Sequence, residues 1–213
     1  MARVRVRQHV NPLSAKYSQP IILPKWYTVY SSPDQPLHLD IGCGRGKFLL
    51  NMAPLYPKMN FLGIEIREPL VIEANQQCDR LQLPNVSFLF CNINLYIDTI
   101  LTSLPPNILN CVTIQFPDPW FKRSHQKRRV VQPDLVQAIA THLVENGSVF
   151  LQSDVKEVAE EMVDNFLVNS SFQQQHQETW FPENPFPIAT EREVATLNKN
   201  QPVYRVLLQK INP

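Results

Sequence analysis

Residues 37–50 read LHLDIGCGRGKFLL, and this stretch decides the fold. Leu37-His38-Leu39-Asp40-Ile41 is an apolar-rich strand that runs straight into Gly42-Cys43-Gly44-Arg45-Gly46. Residues 47–53 then read as a helix, stopped by Pro54. The chain has only five glycines, and Gly42, Gly44 and Gly46 are three of them. A sequence so sparing with glycine keeps it where the backbone must turn tightly or come close to a ligand. A GxGxG turn between strand and helix is shared by dinucleotide binders and methyltransferases. Asp40 separates the two. At the strand end its carboxylate would repel a pyrophosphate but help to hold a cationic aminoalkyl group, which favours S-adenosylmethionine over NAD.

Outward from the loop the same alternation repeats. Residues 61–66 form a second strand, and Glu65 falls 19 residues after Gly46. An acid near that spacing takes ribose hydroxyls in such folds; a surface glutamate on a strand end is the plainer alternative. Residues 68–81 read as a helix with Leu70, Val71, Ala74, Cys78 and Leu81 inward. Residues 86–91 are a third strand ending at Asn92, whose amide could reach an adenine edge or simply make a turn. Helices are expected over 97–104 and 132–145, the latter closed by Asn146-Gly147. A fifth strand spans 148–152, with Asp154 just beyond it, and 202–208 reads as another strand. In the helix between them, Glu157, Glu160, Glu161 and Asp164 read as the wet face. This order implies an open, mostly parallel sheet that binds ligands beyond the carboxyl ends of its strands. Asp40, Glu65, Asn92, Asp118 and Asp154 all sit at or just past such ends, so five polar groups converge on one edge.

The fourth strand, Cys111-Val112-Thr113-Ile114, delivers residues 116–131, FPDPWFKRSHQKRRVV. Pro117 and Pro119 hold Asp118 on a stiff, extended turn. Asp118 is the only carboxylate between Asp98 and Asp134, and Lys122, Arg123, Lys127, Arg128 and Arg129 follow it. A lone acid beside an aromatic and a cationic run fits a base within a nucleic acid. Arg128 and Arg129 would hold phosphates, Trp120 can stack, and the carboxylate accepts from base N–H groups. An ordinary strand end with a solvated basic loop is the alternative.

At 213 residues the chain accommodates one α/β domain, residues 37–213, preceded by a Pro-interrupted basic arm, 1–36. The formal net charge is only +1, so affinity for a polyanion must come from local patches. The arm is one: Arg3, Arg5, Arg7, Lys16 and Lys25 precede the first acid, Asp34. It could be a phosphate clamp or a disordered tail, and its composition leans to the tail. Cys43, Cys78, Cys91 and Cys111 lack metal spacing and read as buried, reduced thiols. No signal core or membrane-length apolar run is present, which points to the cytoplasm.

Four segments, LDIGCGRGKFLL, GIEI, QFPDPWFKRSHQKRRVV and TEREVATLNKNQPVYR, together resemble the bacterial-type tRNA (guanine-N7-)-methyltransferases from about Leu37 to Arg205. The resemblance implies a class I methyltransferase (Rossmann-like) α/β fold: a mostly parallel seven-stranded sheet with helices on both faces. It implies S-adenosylmethionine as donor and a variable-loop guanine of tRNA as acceptor, while the sequence itself gives no sign of a metal or of an obligatory protein partner. Carried over, Asp40, Glu65, Asn92 and Asp118 line the donor site with the glycine loop, and Lys122, Asp154, Thr190, Glu191, Arg192 and Glu193 face the tRNA. The chain departs from the family's usual pattern at Phe121, often Pro, and at Asn200, often Gly. Guanine N7 carries a lone pair and no proton, so the expected chemistry needs alignment rather than a strong base. Asp118 would then stabilise the positive charge that develops on the guanine.

Overall fold

The computed structural model describes residues 10–212. Arg3, Arg5 and Arg7 lie outside the described residues. Seven strands form one sheet: β1 (Leu37–Ile41), β2 (Asn60–Glu65), β3 (Val86–Phe90), β4 (Leu109–Gln115), β5 (Ser148–Ser153), β6 (Phe172–Gln174) and β7 (Tyr204–Lys210). Their order is β3-β2-β1-β4-β5-β7-β6. The pairings from β3 to β5 are parallel, and β7 inserts antiparallel between β5 and β6. Order reverses between β1 and β4, and a crevice opens at such a switch point beyond the strand ends.

Every residue of β1 and β2 is buried, as expected for strands covered on both faces. Neighbouring residues of β2 show the two faces. Phe61 belongs to the cluster that includes Phe48, Val71, Ala74 and Phe88, whereas Leu62 belongs to the one that includes Ile97, Leu135, Ile139 and Phe166. The first layer comes from α2 (Lys47–Met52) and α3 (Glu68–Leu81), the second from α4 (Ile93–Ser103), α5 (Pro133–His142) and α6 (Lys156–Leu167). No helix among the described residues is long and apolar enough to cross a membrane.

Several expectations shift. Helix α4 begins at Ile93, four residues early, and α5 stops at His142, since Leu143 is already extended though still buried. Leu81 is exposed, because Gln82 turns left-handed and ends α3 beside it. Strand β6, three residues long, has too little pattern to announce itself. Residues 10–36 are not a loose tail. Tyr17, Trp26 and Tyr30 are buried, Trp26 and Tyr30 lying in or at the end of α1 (Trp26–Val29). The Trp26 indole donates to Ser103 Oγ at 2.9 Å, and the Tyr30 hydroxyl donates to the Phe61 carbonyl at 3.0 Å. Aromatic anchors with satisfied polar tips hold this segment to the sheet layer.

Candidate active site

The glycine loop is shaped by what it must avoid. Gly46 has φ +70°, and a Cβ there would lie 2.5 Å from the Phe88 ring, so only glycine fits. Gly42 and Gly44 are also left-handed, but nothing lies within 4 Å of where their Cβ atoms would be. There the open side faces solvent and the crevice. The Gly44 amide donates to Glu65 Oε2 at 3.0 Å, tying the loop to the end of β2.

Glu65 is almost wholly buried and heavily engaged. Its Oε1 accepts from the Arg67 amide at 3.0 Å and from Arg67 Nε at 2.9 Å, and its Oε2 accepts from Arg67 Nη2 at 2.8 Å. Desolvation works against the Arg67 charge, but Glu65, with Asp118 assisting, holds its pKa above the usual value. Asn92 is buried, and its amide donates to the Pro12 carbonyl at 3.0 Å. The N-terminal segment thus closes over the end of β3.

Asp40 is 4 % exposed, and Oδ1 accepts from Thr113 Oγ1 at 2.6 Å and from Gln115 Nε2 at 3.4 Å. Burial pushes its carboxyl up to about 6, those two hydrogen bonds pull the other way, and the charge of Glu65 adds to the rise. Thr113 has one proton to give and gives it to Asp40. The neighbouring His38 Nε2, 3.0 Å from Thr113 Oγ1, must therefore be the protonated nitrogen. Burial pushes His38 down to about 3, so the ring is neutral and serves as a strut.

Two hollows meet at the end of β4. The narrower, about 120 Å³, is lined by Glu65, Asn92, Trp120 and Arg128 with Val10 and Pro12. The wider, about 530 Å³, is lined by Asp40, Gly44, Phe121, Asp154, Thr190 and Arg192 among others. Gly42, Arg67, Phe116, Pro117 and Asp118 belong to both. Phe116 and Trp120 bracket the Pro-Asp-Pro turn at φ +50° and +42°. Left-handed backbone at an aromatic costs about 1–3 kcal/mol and persists only where surrounding structure imposes it. The Phe116 amide, bonded to the Gln152 carbonyl at 2.7 Å, is one such restraint.

A family described as "Putative methyltransferase" matches residues 34–206. A tRNA (guanine-N(7)-)-methyltransferase of Microcystis aeruginosa is 60% identical over 98% of this chain and 99% of its own length. Another from Trichormus variabilis is 58% identical over 98% of this chain and 97% of its own. The chain belongs to the tRNA (guanine-N7-)-methyltransferases. Among solved structures the 16S rRNA methyltransferase KamB superposes with a TM-score of 0.61 at 14% identity, over 91% of this chain and 96% of that one, a likeness of fold. The class I methyltransferase fold expected from the sequence is the fold observed.

Within this family member, the residues expected to face RNA divide. Thr190 caps α7 (Glu191–Leu197), accepting from the Glu193 amide at 3.1 Å, and the first turn of α7 lines the wide hollow. Arg192 Nε donates to Asp154 at 2.9 Å across that wall. Glu193 turns the other way. It is 1 % exposed, bound to Arg205 at 2.7 Å and accepting from Asn184 at 2.7 Å, so it holds α7 to β7 rather than facing outward. Arg129 is likewise buried, donating to the Pro119 carbonyl at 2.8 Å and paired with Glu161 of α6, which is therefore not merely wet face. Arg128 lies over the Trp120 ring, 5.0 Å from its centroid, and Lys122 stands exposed on the loop.

Residues that sequence reasoning passed over complete the site. Gln152 donates to Gln115 Oε1 at 2.7 Å and to Glu193 Oε2 at 3.3 Å. A buried polar chain therefore runs from Asp40 through Gln115 and Gln152 to the base of α7. The available signal was a glutamine at or near the end of each of two apolar strands, β4 and β5.

Proposed function

We propose that this chain transfers a methyl group from S-adenosylmethionine to N7 of a variable-loop guanine in tRNA. The observation that carries the reading is Asp118, placed on the partition where a narrow cleft meets a wider cavity. The residues fit the donor. Gly42 and Gly44 leave their Cβ positions open, Asp40 offers a carboxylate to an ammonium group, and Glu65 with Asn92 borders the narrow cleft. When bound, the donor supplies an electrophilic methyl on sulfonium. Everything else falls to the chain.

Asp40, held by Thr113 and Gln115, would hold the aminoalkyl end, and Glu65 would take ribose hydroxyls by giving up hydrogen bonds it now accepts from Arg67. Asp118 would orient the guanine so that N7 faces the methyl group that the donor supplies, the alignment on which direct transfer depends. N7 needs no base to accept the methyl, and the guanine becomes cationic as the bond forms. The carboxylate at the partition stabilises that developing charge. Thr190, Glu191, Arg192 and Asp154 border the acceptor side, and Lys122 with Arg128 meets phosphates. The four cysteines are unpaired thiols, in keeping with work in the cytoplasm.

The test is methyl transfer to unmodified tRNA, with the methylated nucleoside identified after digestion. 7-Methylguanosine is the expected product. Methylation of an exocyclic amine, or none, would overturn the reading.

A further inference from the structure

At the rim of the wide cavity stands a side chain that packing does not explain. Of eleven phenylalanines ten are buried or half-buried, whereas Phe121 is 75 % exposed. Single exposed apolar residues are ordinary on protein surfaces, and position is what sets this one apart. Phe121 follows Trp120, which has left-handed backbone, and the two consecutive rings line different hollows. Trp120 lines the narrow cleft, carrying Arg128 on its ring and His125 at its edge; Phe121 lines the wide cavity, opposite the first turn of α7. That cavity, about 530 Å³, is also bordered by Asp40 and Gly44, so the donor's aminoalkyl end shares it with the reacting guanine, and Phe121 at its open rim would meet the neighbour that lies beside them.

The surroundings select the occupant. Lys122, Arg123 and Lys127 are exposed on the same loop, and no acid occurs between Asp118 and Asp134. A cationic loop carrying a bare aromatic suits a polyanion with flat apolar groups, which describes single-stranded nucleic acid and not an apolar protein surface. We propose that Phe121 is a stacking platform for an unpaired nucleobase of the RNA, next to the guanine held at Asp118. The proposal rests on reading the wide cavity as the acceptor site. Every base has a π-face, so the contact contributes affinity and seating without reading base identity, while Lys122 and Arg123 take the phosphates of the same nucleotides.

The experiment measures RNA affinity, its salt dependence and donor affinity for Phe121→Ala, Phe121→Leu and Phe121→Tyr. An exposed ring can be changed without unfolding the chain, and thermal melts of each variant verify this. Phe121→Ala is expected to bind tRNA about tenfold more weakly, inside the range for one base stacked on one ring. The salt slope stays the same because no charge is removed, and donor affinity does not change. Tyr retains binding, and Leu, apolar but without a π-face, behaves as Ala. With tRNAs abasic at either neighbour of the target guanine, wild type loses about tenfold against one of them and Phe121→Ala loses nothing further. Equal binding by wild type and Ala, rescue by Leu as complete as by Tyr, or additive losses with both abasic RNAs would each overturn the platform. Formation of 7-methylguanosine by wild type is read in the same assay. If it forms and Phe121 proves silent, only this proposal falls; if it does not form, the acceptor reading falls and takes this proposal with it.

Discussion

Asp40 is expected to weaken the empty protein while serving the bound one, and Asp40→Asn separates the two effects. In the folded chain burial raises this carboxyl from its ordinary 3.8 to about 6. Between those values the folded state holds a proton that the unfolded chain has released. Stability therefore falls as pH climbs through this window, and above about 6 the full cost is present. At about 1.4 kcal/mol per tenfold change in the protonation equilibrium, that cost is about 3 kcal/mol. Asparagine carries no charge and its oxygen can still accept from Thr113 and Gln115, but its amide protons need buried partners, which cancels roughly 1–2 kcal/mol of the gain. The net expectation at pH 8 is a stabilisation of about 1–2 kcal/mol, or about 2–8 °C in Tm at this size.

The control is internal. Near pH 4 Asp40 is protonated in the folded state, so the charge cost fades while the cost of burying the amide protons stays, and the variant's advantage must pass through zero and become a deficit of about 1 kcal/mol as pH falls from 8 to 4. Denaturant titrations at four pH values measure this directly. Donor binding should move the opposite way: losing a charge-assisted hydrogen bond to an ammonium group costs about 1.5–3 kcal/mol, and calorimetry at pH 8 reads it. In wild type, donor affinity should also decline below pH 6 as Asp40 takes up its proton. A variant less stable than wild type at pH 8, or a stability difference that ignores pH, would refute the assignment of the burial cost to this carboxylate.

Three further substitutions probe the remaining parts. Glu65→Gln keeps the shape but removes the charge that faces Arg67 and the Gly44 amide; donor affinity should drop by about 1.5–3 kcal/mol in a calorimetric titration, and an unchanged value removes Glu65 from the site. Arg129→Ala should lower stability by about 1–3 kcal/mol through the orphaned Glu161, discounted because that acid is one-third exposed. It should leave the salt slope of tRNA binding unchanged, whereas Lys122→Ala should reduce that slope by about 1 and leave the melt alone; the reverse pattern would exchange their roles. Asp118→Asn should cut single-turnover rate about 10²–10³-fold at saturating donor and tRNA with smaller changes in either affinity, and near wild-type turnover would reduce Pro117-Asp118-Pro119 to a shaped turn.

The sequence shows which residues reach the crevice far better than it shows which of them face it. Strand ends can be read from apolar runs and their stops, and topology then brings Asp40, Glu65, Asn92, Asp118 and Asp154 to one edge. Direction depends on partners distant in the chain. Thr190 and Glu193 have the spacing of a capping box, and Thr190 does cap α7. The carboxylate of Glu193, however, finds Arg205 across the sheet instead of the Thr190 amide. Arg129 leaves its basic run for Glu161, 32 residues away, because α6 packs against that side of the loop. The glutamines make the same point from register. Gln115 pairs with Gln152, and Gln152 with Arg205, so three polar residues form one row across β4, β5 and β7. Thr113 is the cross-strand partner of Asp40, and Gln115, two residues on, shares its face. No single strand shows that row, since each contributes only one unremarkable polar residue near its end. Only the pairing of the strands turns those residues into a continuous polar link from Asp40 to the base of α7.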